Sequence, residues 1–170
     1  MRTTAAILLA LVFVAAPVAA EPIHFSKLIE HLPGEDAIDG FKRGKPEGTT
    51  TAAMGFHTTV VSATYTKTDD PASTVRIQLS DGAPTQFVTM AYSALAQFSQ
   101  ESTEGYEKGV QVDGFQGIEK YRNEEQEGNL TLVVGSVLVE ITTRKLPAEM
   151  LRTIFALIPA KELQGAKKDG

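Results

Sequence analysis

Residues 106–141 read YEKGVQVDGFQGIEKYRNEEQEGNLTLVVGSVLVEI, and the turns written into them decide the fold. Asp113-Gly114 stands between Tyr106–Val112 and Phe115–Tyr121, and Gly135-Ser136 stands between Leu130–Val134 and Val137–Ile141. Two-residue connections of these kinds suit type I′ and II′ turns, whose twist matches that of paired strands. The polar stretch from Asn123 to Gly128 links one hairpin to the next. A four-stranded antiparallel meander is predicted.

Upstream, His57 to Lys67 is β-branched and aromatic, and beyond Asp69-Asp70-Pro71 the residues Val75, Ile77 and Leu79 alternate with Arg76, Gln78 and Ser80. That predicts an antiparallel strand pair with one buried face. The period then changes: Phe87, Ala91, Leu95 and Phe98 share a helical face, so the main helix is expected over Thr85 to Gln100, entered through Asp81-Gly82-Ala83-Pro84. Phe25, Leu28, Ile29 and Leu32 follow i, i+3, i+4, i+7 spacing, which predicts a short helix over His24 to Leu32 ended by Pro33-Gly34. The Gly- and Thr-rich stretch 35–55 is assigned at most one short strand, around Ile38 to Arg43. A last helix is predicted from Pro147 to Pro159, burying Met150, Leu151, Ile154 and Leu157 or Ile158, before a flexible Lys/Gly tail over 161–170. The expected fold is α+β, an antiparallel sheet of about six or seven strands covered by two or three helices. Residues 21–160 have the size of a single domain, and no linker composition divides them.

The runs 101–108 (ESTEGYEK), 114–121 (GFQGIEKY), 130–135 (LTLVVG) and 139–141 (VEI) carry a resemblance. The chain resembles small exported bacterial proteins of unassigned function, and its element order is similar to the sandwich shared by the PsbP and Mog1 proteins. The likeness spans roughly residues 65–159 and rests on turn and strand grammar. It implies a fold; it carries over no catalytic or ligand residue.

The first twenty residues read as an export signal. Arg2 is a basic front end, Ala5 to Ala16 is apolar, and Pro17 precedes the small residues Val18-Ala19-Ala20, so cleavage is expected after Ala20 with Glu21 as the first mature residue. The apolar run is shorter than the roughly 20 residues of a membrane-spanning helix. Cleavage removes one of the 16 basic residues and none of the 21 acidic ones, moving the formal charge from −5 to −6. An acidic product argues against nucleic-acid binding, which needs clustered Lys and Arg. The basic groups Lys42-Arg43-Lys45, Arg144-Lys145 and Lys167-Lys168 read as solvated charge. Without cysteine there is no disulfide, thiol catalysis, cysteine metal site or lipid-anchored thiol. The mature product is therefore expected to be soluble, periplasmic or secreted, with no stable membrane insertion. Asn129-Leu130-Thr131 matches a glycosylation sequon at the start of a predicted strand and reads as coincidence.

Chemistry is harder to find. His24 and His31 sit seven residues apart, roughly 10 Å along a helix axis, too far to chelate one ion easily. Pro22 lacks the amide proton that an amino-terminal copper site uses. No G-x-S-x-G, S-x-x-K or H-E-x-x-H pattern occurs, and Asp69-Asp70 and Asp81-Gly82 lack calcium-loop spacing and read as turns. The carboxylate groups Glu101, Glu104, Glu107 and Glu124, Glu125, Glu127 fall in polar loops and read as a solvated edge. Gly40 to Gly44 lacks phosphate-loop spacing. Tyr65, Tyr92, Tyr106 and Tyr121 read as core aromatics with hydroxyls at the surface. No metal or cofactor is expected, and catalytic residues are unknown. The first function expected is a non-catalytic protein-binding or accessory module of the cell envelope, recruiting another envelope protein. The second is a carrier of a lipid or other hydrophobic small molecule, suggested by strands apolar on both faces. The third is a hydrolase without a recognisable motif, for which His24, His31, His57 and Tyr65 are the residues to inspect.

Overall fold

The computed structural model describes residues 22–53, 56–82 and 98–166. Among them nine strands form one antiparallel sheet: β1 (Phe41–Arg43), β2 (Glu47–Ala53), β3 (Phe56–Lys67), β4 (Thr74–Gly82), β5 (Ser99–Ser102), β6 (Gly105–Val112), β7 (Phe115–Arg122), β8 (Glu127–Val134) and β9 (Val137–Arg144). The order across the sheet is β1-β3-β4-β9-β8-β7-β6-β5, with β2 also on β3. The fold is a sheet-dominated α+β domain. Three short helices accompany the strands among the described residues: α1 (Phe25–Ile29), α2 (Met150–Phe155) and α3 (Ala160–Gly165). None of these is long and apolar enough to cross a membrane.

The expected meander is present as β6 to β9, and its first turn has the required backbone: Asp113 and Gly114 take φ of 50° and 89°. Two positive φ values in succession are what a type I′ turn demands. Strand alternation then divides the sheet into two faces. Val61, Tyr65, Ile77, Leu79, Leu130, Leu132, Val139 and Ile141 are buried on one face, with Leu28, Leu151, Ile154 and Leu163 of the helices in the same apolar cluster. The other face presents Ser62, Gln78, Glu140, Thr142, Asn129 and Lys120.

Several expectations change. Nine strands replace six or seven, because 35–55 contributes two strands and 99–102 a further one. Ile38 lies buried before β1, not within a strand. β2 escapes the pattern because it lies at the sheet margin, where Thr49 to Ala52 are exposed and no apolar alternation is needed. Most of the helix expected over 85–100 falls outside the described residues; its last two residues, Ser99 and Gln100, belong to β5. Phe98, assigned to that helix's apolar face, is exposed and its carbonyl accepts from Gly109 N at 2.8 Å. The first helix shortens to Phe25–Ile29 with His24 as its cap. The last shortens: α2 ends at Phe155 and α3 follows; of Leu157 and Ile158 it is Ile158 that is buried, while Met150 is only half-buried. The flexible tail expected from 161 therefore begins as helix, because Leu163 docks into the core at 2% exposure.

Asp81-Gly82 is not a turn either. Both end β4, and buried Asp81 accepts from Ile23 N at 2.7 Å, tying the segment that leads into α1 to the sheet. Asp69-Asp70 does make a turn: Asp70 accepts from Ser73 Oγ at 2.6 Å and Ala72 N at 3.2 Å. Those two donors hold the Asp70 carboxyl below its ordinary range.

Candidate functional site

Two loops at one end of the meander build a cleft. The β5–β6 turn is short, with Ser102 paired to Gly105 and Glu104 N donating to Ser102 Oγ at 3.2 Å. Gly105 takes φ of 151°, and a Cβ there would run into the Tyr121 carbonyl oxygen. Only glycine allows β6 to start this close to β7. The β7–β8 loop, residues 123–126, lies alongside. Asn123 fastens the two loops: its amide donates to Glu104 O at 2.8 Å and its side chain to Thr103 O at 3.1 Å.

This lashing brings together carboxylates that are about twenty residues apart in sequence. Glu104 and Glu107 of one group and Glu124 and Glu125 of the other line a cleft of about 250 Å³, with Lys120 and Arg122 between them. Lys120 Nζ is 3.0 Å from Glu107 Oε2, and Arg122 lies 3.6 Å from both Glu125 and Glu127. Glu127 also reaches Arg144 at 3.7 Å. Glu101 points to the opposite face, across from Tyr106. The cleft charges are largely exposed, and exposed pairs of this kind contribute about 0–1 kcal/mol each. Strand register and Asn123 hold them at fixed spacing.

Beside the cleft, Asn129 donates both amide hydrogens, to Glu140 Oε1 at 3.0 Å and Thr142 Oγ1 at 3.2 Å, and accepts from Thr131 Oγ1. Its amide is thus committed to the sheet surface, which leaves the sequon without a free acceptor.

The reverse face of β7 carries a different group. Glu119, 3% exposed, accepts from Tyr106 Oη at 2.7 Å and Arg152 Nε at 2.9 Å, with Lys108 Nζ at 3.9 Å. Lys108 also sits 4.2 Å from the Tyr106 ring centre. Burial first, then the hydrogen bond and the charge of Glu119, push the Tyr106 hydroxyl well above its ordinary range. A phenol so disposed stays protonated and serves as a donor. The arrangement clamps α2 to the meander.

The residues singled out for hydrolysis do not converge. His24 caps α1, its Nδ1 2.9 Å from Ser26 Oγ; His31 follows α1 and His57 is in β3. Tyr65 and Arg43 both donate to Pro33 O, at 2.6 and 2.8 Å. Burial raises the Tyr65 hydroxyl's pKa, an effect Arg43 partly offsets. Tyr121 donates to Leu146 O at 3.0 Å, so each described tyrosine hydroxyl donates to a partner within the protein. Tyr92 lies outside the described residues. Among the described residues no three His, Asp or Glu side chains are grouped to hold a metal ion.

No family model, curated protein or solved structure matches this chain. Sequence reading found both carboxylate groups but not their union, nor Glu119. Strand alternation placed Glu119 opposite Lys120, and that was the available signal.

Proposed function

We propose that this chain is an exported, non-catalytic binding or accessory module of the bacterial cell envelope, and that it engages another protein through the cleft between the β5–β6 and β7–β8 loops. The observation that carries the reading is the cleft's composition: exposed charges of both signs on a scaffold fixed by strand register and by Asn123. Such a surface recognises complementary charges on a partner and gains orientation more than raw affinity. Acid/base catalysis asks instead for a group whose burial tunes its proton affinity at the place of reaction. Tyr106 borders the cleft, but its strongly shifted hydroxyl is turned to the clamp beneath α2 and committed to Glu119. Compared with a carrier of hydrophobic ligands, a protein binder suits clefts that are open and edged by the charged residues Lys120, Arg122, Glu127, Arg144 and Lys145. Export belongs to the same proposal, with residues 1–20 as the signal, and so does the PsbP/Mog1-like sandwich order.

The test is expression with the chain's own first twenty residues in a bacterial host, followed by capture from envelope extract. A mature mass beginning at Glu21 and a partner lost in Lys120→Glu/Arg122→Glu support the proposal. Retention of that partner by the double variant contradicts it.

A further inference from the structure

The sheet's other margin is unlike the cleft. β1 and β2 lie along the same side of β3, but their registers differ by one residue: Phe41 pairs with Lys67, whereas Glu47 pairs with Ser62. A bulge at residues 44–46 absorbs the difference, with Gly44 N donating to Thr64 O at 2.7 Å. Natural sheets guard their margins with bulges, lysines and prolines. Lys45 and Pro46 do so here, at the bulge. From Gly48 to Ala53 the sequence is GTTTAA, with no charge and no proline.

The backbone direction follows from the pairing. Ala53 and Phe56 are partners with two residues between them, so they exchange both ladder bonds, as do Thr51 with Thr58 and Thr49 with Val60. Gly48, Thr50 and Ala52 therefore turn their N–H and C=O groups away from β3, to a side where, among the described residues, no strand pairs with them. Above this margin, α1 leaves Phe25 and Ile29 half-buried; a Cβ at Gly48 would lie 3.0 Å from Phe25 and 3.2 Å from Ile29.

We infer that β2 is a self-association strand, joining two copies of this chain antiparallel about Thr50 into one continuous sheet. The strand is its own complement in that register. Thr50 meets Thr50, Gly48 meets Ala52, Thr49 meets Thr51, and each pair of outward residues exchanges both backbone bonds. Glu47 falls opposite Ala53, so no like charges face each other. On the helix-covered side the second copy's Ala52 comes beside Gly48, beneath Phe25 and Ile29, and completes their burial. This inference goes beyond the cleft, which lies at the far end of the strand order, and either can fail without the other.

Sedimentation equilibrium of the purified protein, with Thr50→Lys and Thr50→Glu, tests it. The unaltered protein is expected at twice the chain mass at high concentration. Each variant alone, with unchanged circular dichroism, is expected at single mass, and an equal mixture of the two returns to double mass. Amide exchange supplies a check that needs no variant: Gly48, Thr50 and Ala52 become protected as concentration rises. A single mass for the unaltered protein at its solubility limit overturns the inference, as does a Thr50→Lys chain that pairs as well as the original. Pairing of β2 only with a strand of another protein overturns it equally.

Discussion

Glu119 and Lys120 are neighbours on β7 and live in different surroundings. Glu119 is buried under α2 with Tyr106 and Arg152 as donors, while Lys120 stands on the open face against Glu107 with half of its side chain in water. The difference teaches that burial, not the density of charges in sequence, separates a group that holds the fold from one available to a partner. The acid-rich stretches 101–107 and 124–127 supply the available groups. The structural carboxylate sits alone among polar and apolar residues of a strand.

The largest effect is expected on the buried side. Glu119→Ala strips Arg152 and Tyr106 of their acceptor, and the loss should be about 2–3 kcal/mol, held to the lower range for buried pairs because Arg152 is half exposed and can rehydrate. Denaturant titration reads it directly. Gly105→Ala should follow at about 1–2 kcal/mol, from a positive φ and the approach of the Tyr121 carbonyl. It should also loosen the cleft, visible as faster amide exchange at Asn123.

The legibility of the molecule divides along the same line. The meander could be read because Asp113-Gly114 and Gly135-Ser136 punctuate strands that alternate toward a core. β5 could not, since Ser99 to Ser102 are exposed on both faces and carry no pattern. α3 was missed because a six-residue helix needs only Ala160 and Leu163 to dock. The cleft depends on Asn123 reaching Thr103 and Glu104, a contact between loops that no local periodicity announces.

Tyr106→Phe should cost about 1 kcal/mol near neutral pH, the net worth of one hydrogen bond. Its sharper signature is alkaline. The folded-state pKa of Tyr106 is raised, so the associated stability is fully present below the unfolded value near 10 and falls as pH climbs toward the folded value. Tyr65 and Tyr121 are shifted in the same direction and add to that slope. The variant should therefore lose stability less steeply above about pH 10 than the original protein. Equal slopes would remove Tyr106 from the account.

The smallest expected effect on stability is on the open side. Lys120→Ala or Glu107→Ala should shift unfolding by about 0.5 kcal/mol, within the 0–1 kcal/mol of exposed pairs and typical of a surface substitution. A loss as large as that of Glu119→Ala would erase the distinction between the two faces.

The most direct test of the binding proposal is site-specific photocrosslinking in the envelope of an expressing bacterium, with the crosslinker at position 120 and a control at Arg76 on the same face of β4. A discrete protein adduct at position 120 and none at position 76 is predicted. Adducts of equal yield at both positions, or at position 76 alone, would contradict it.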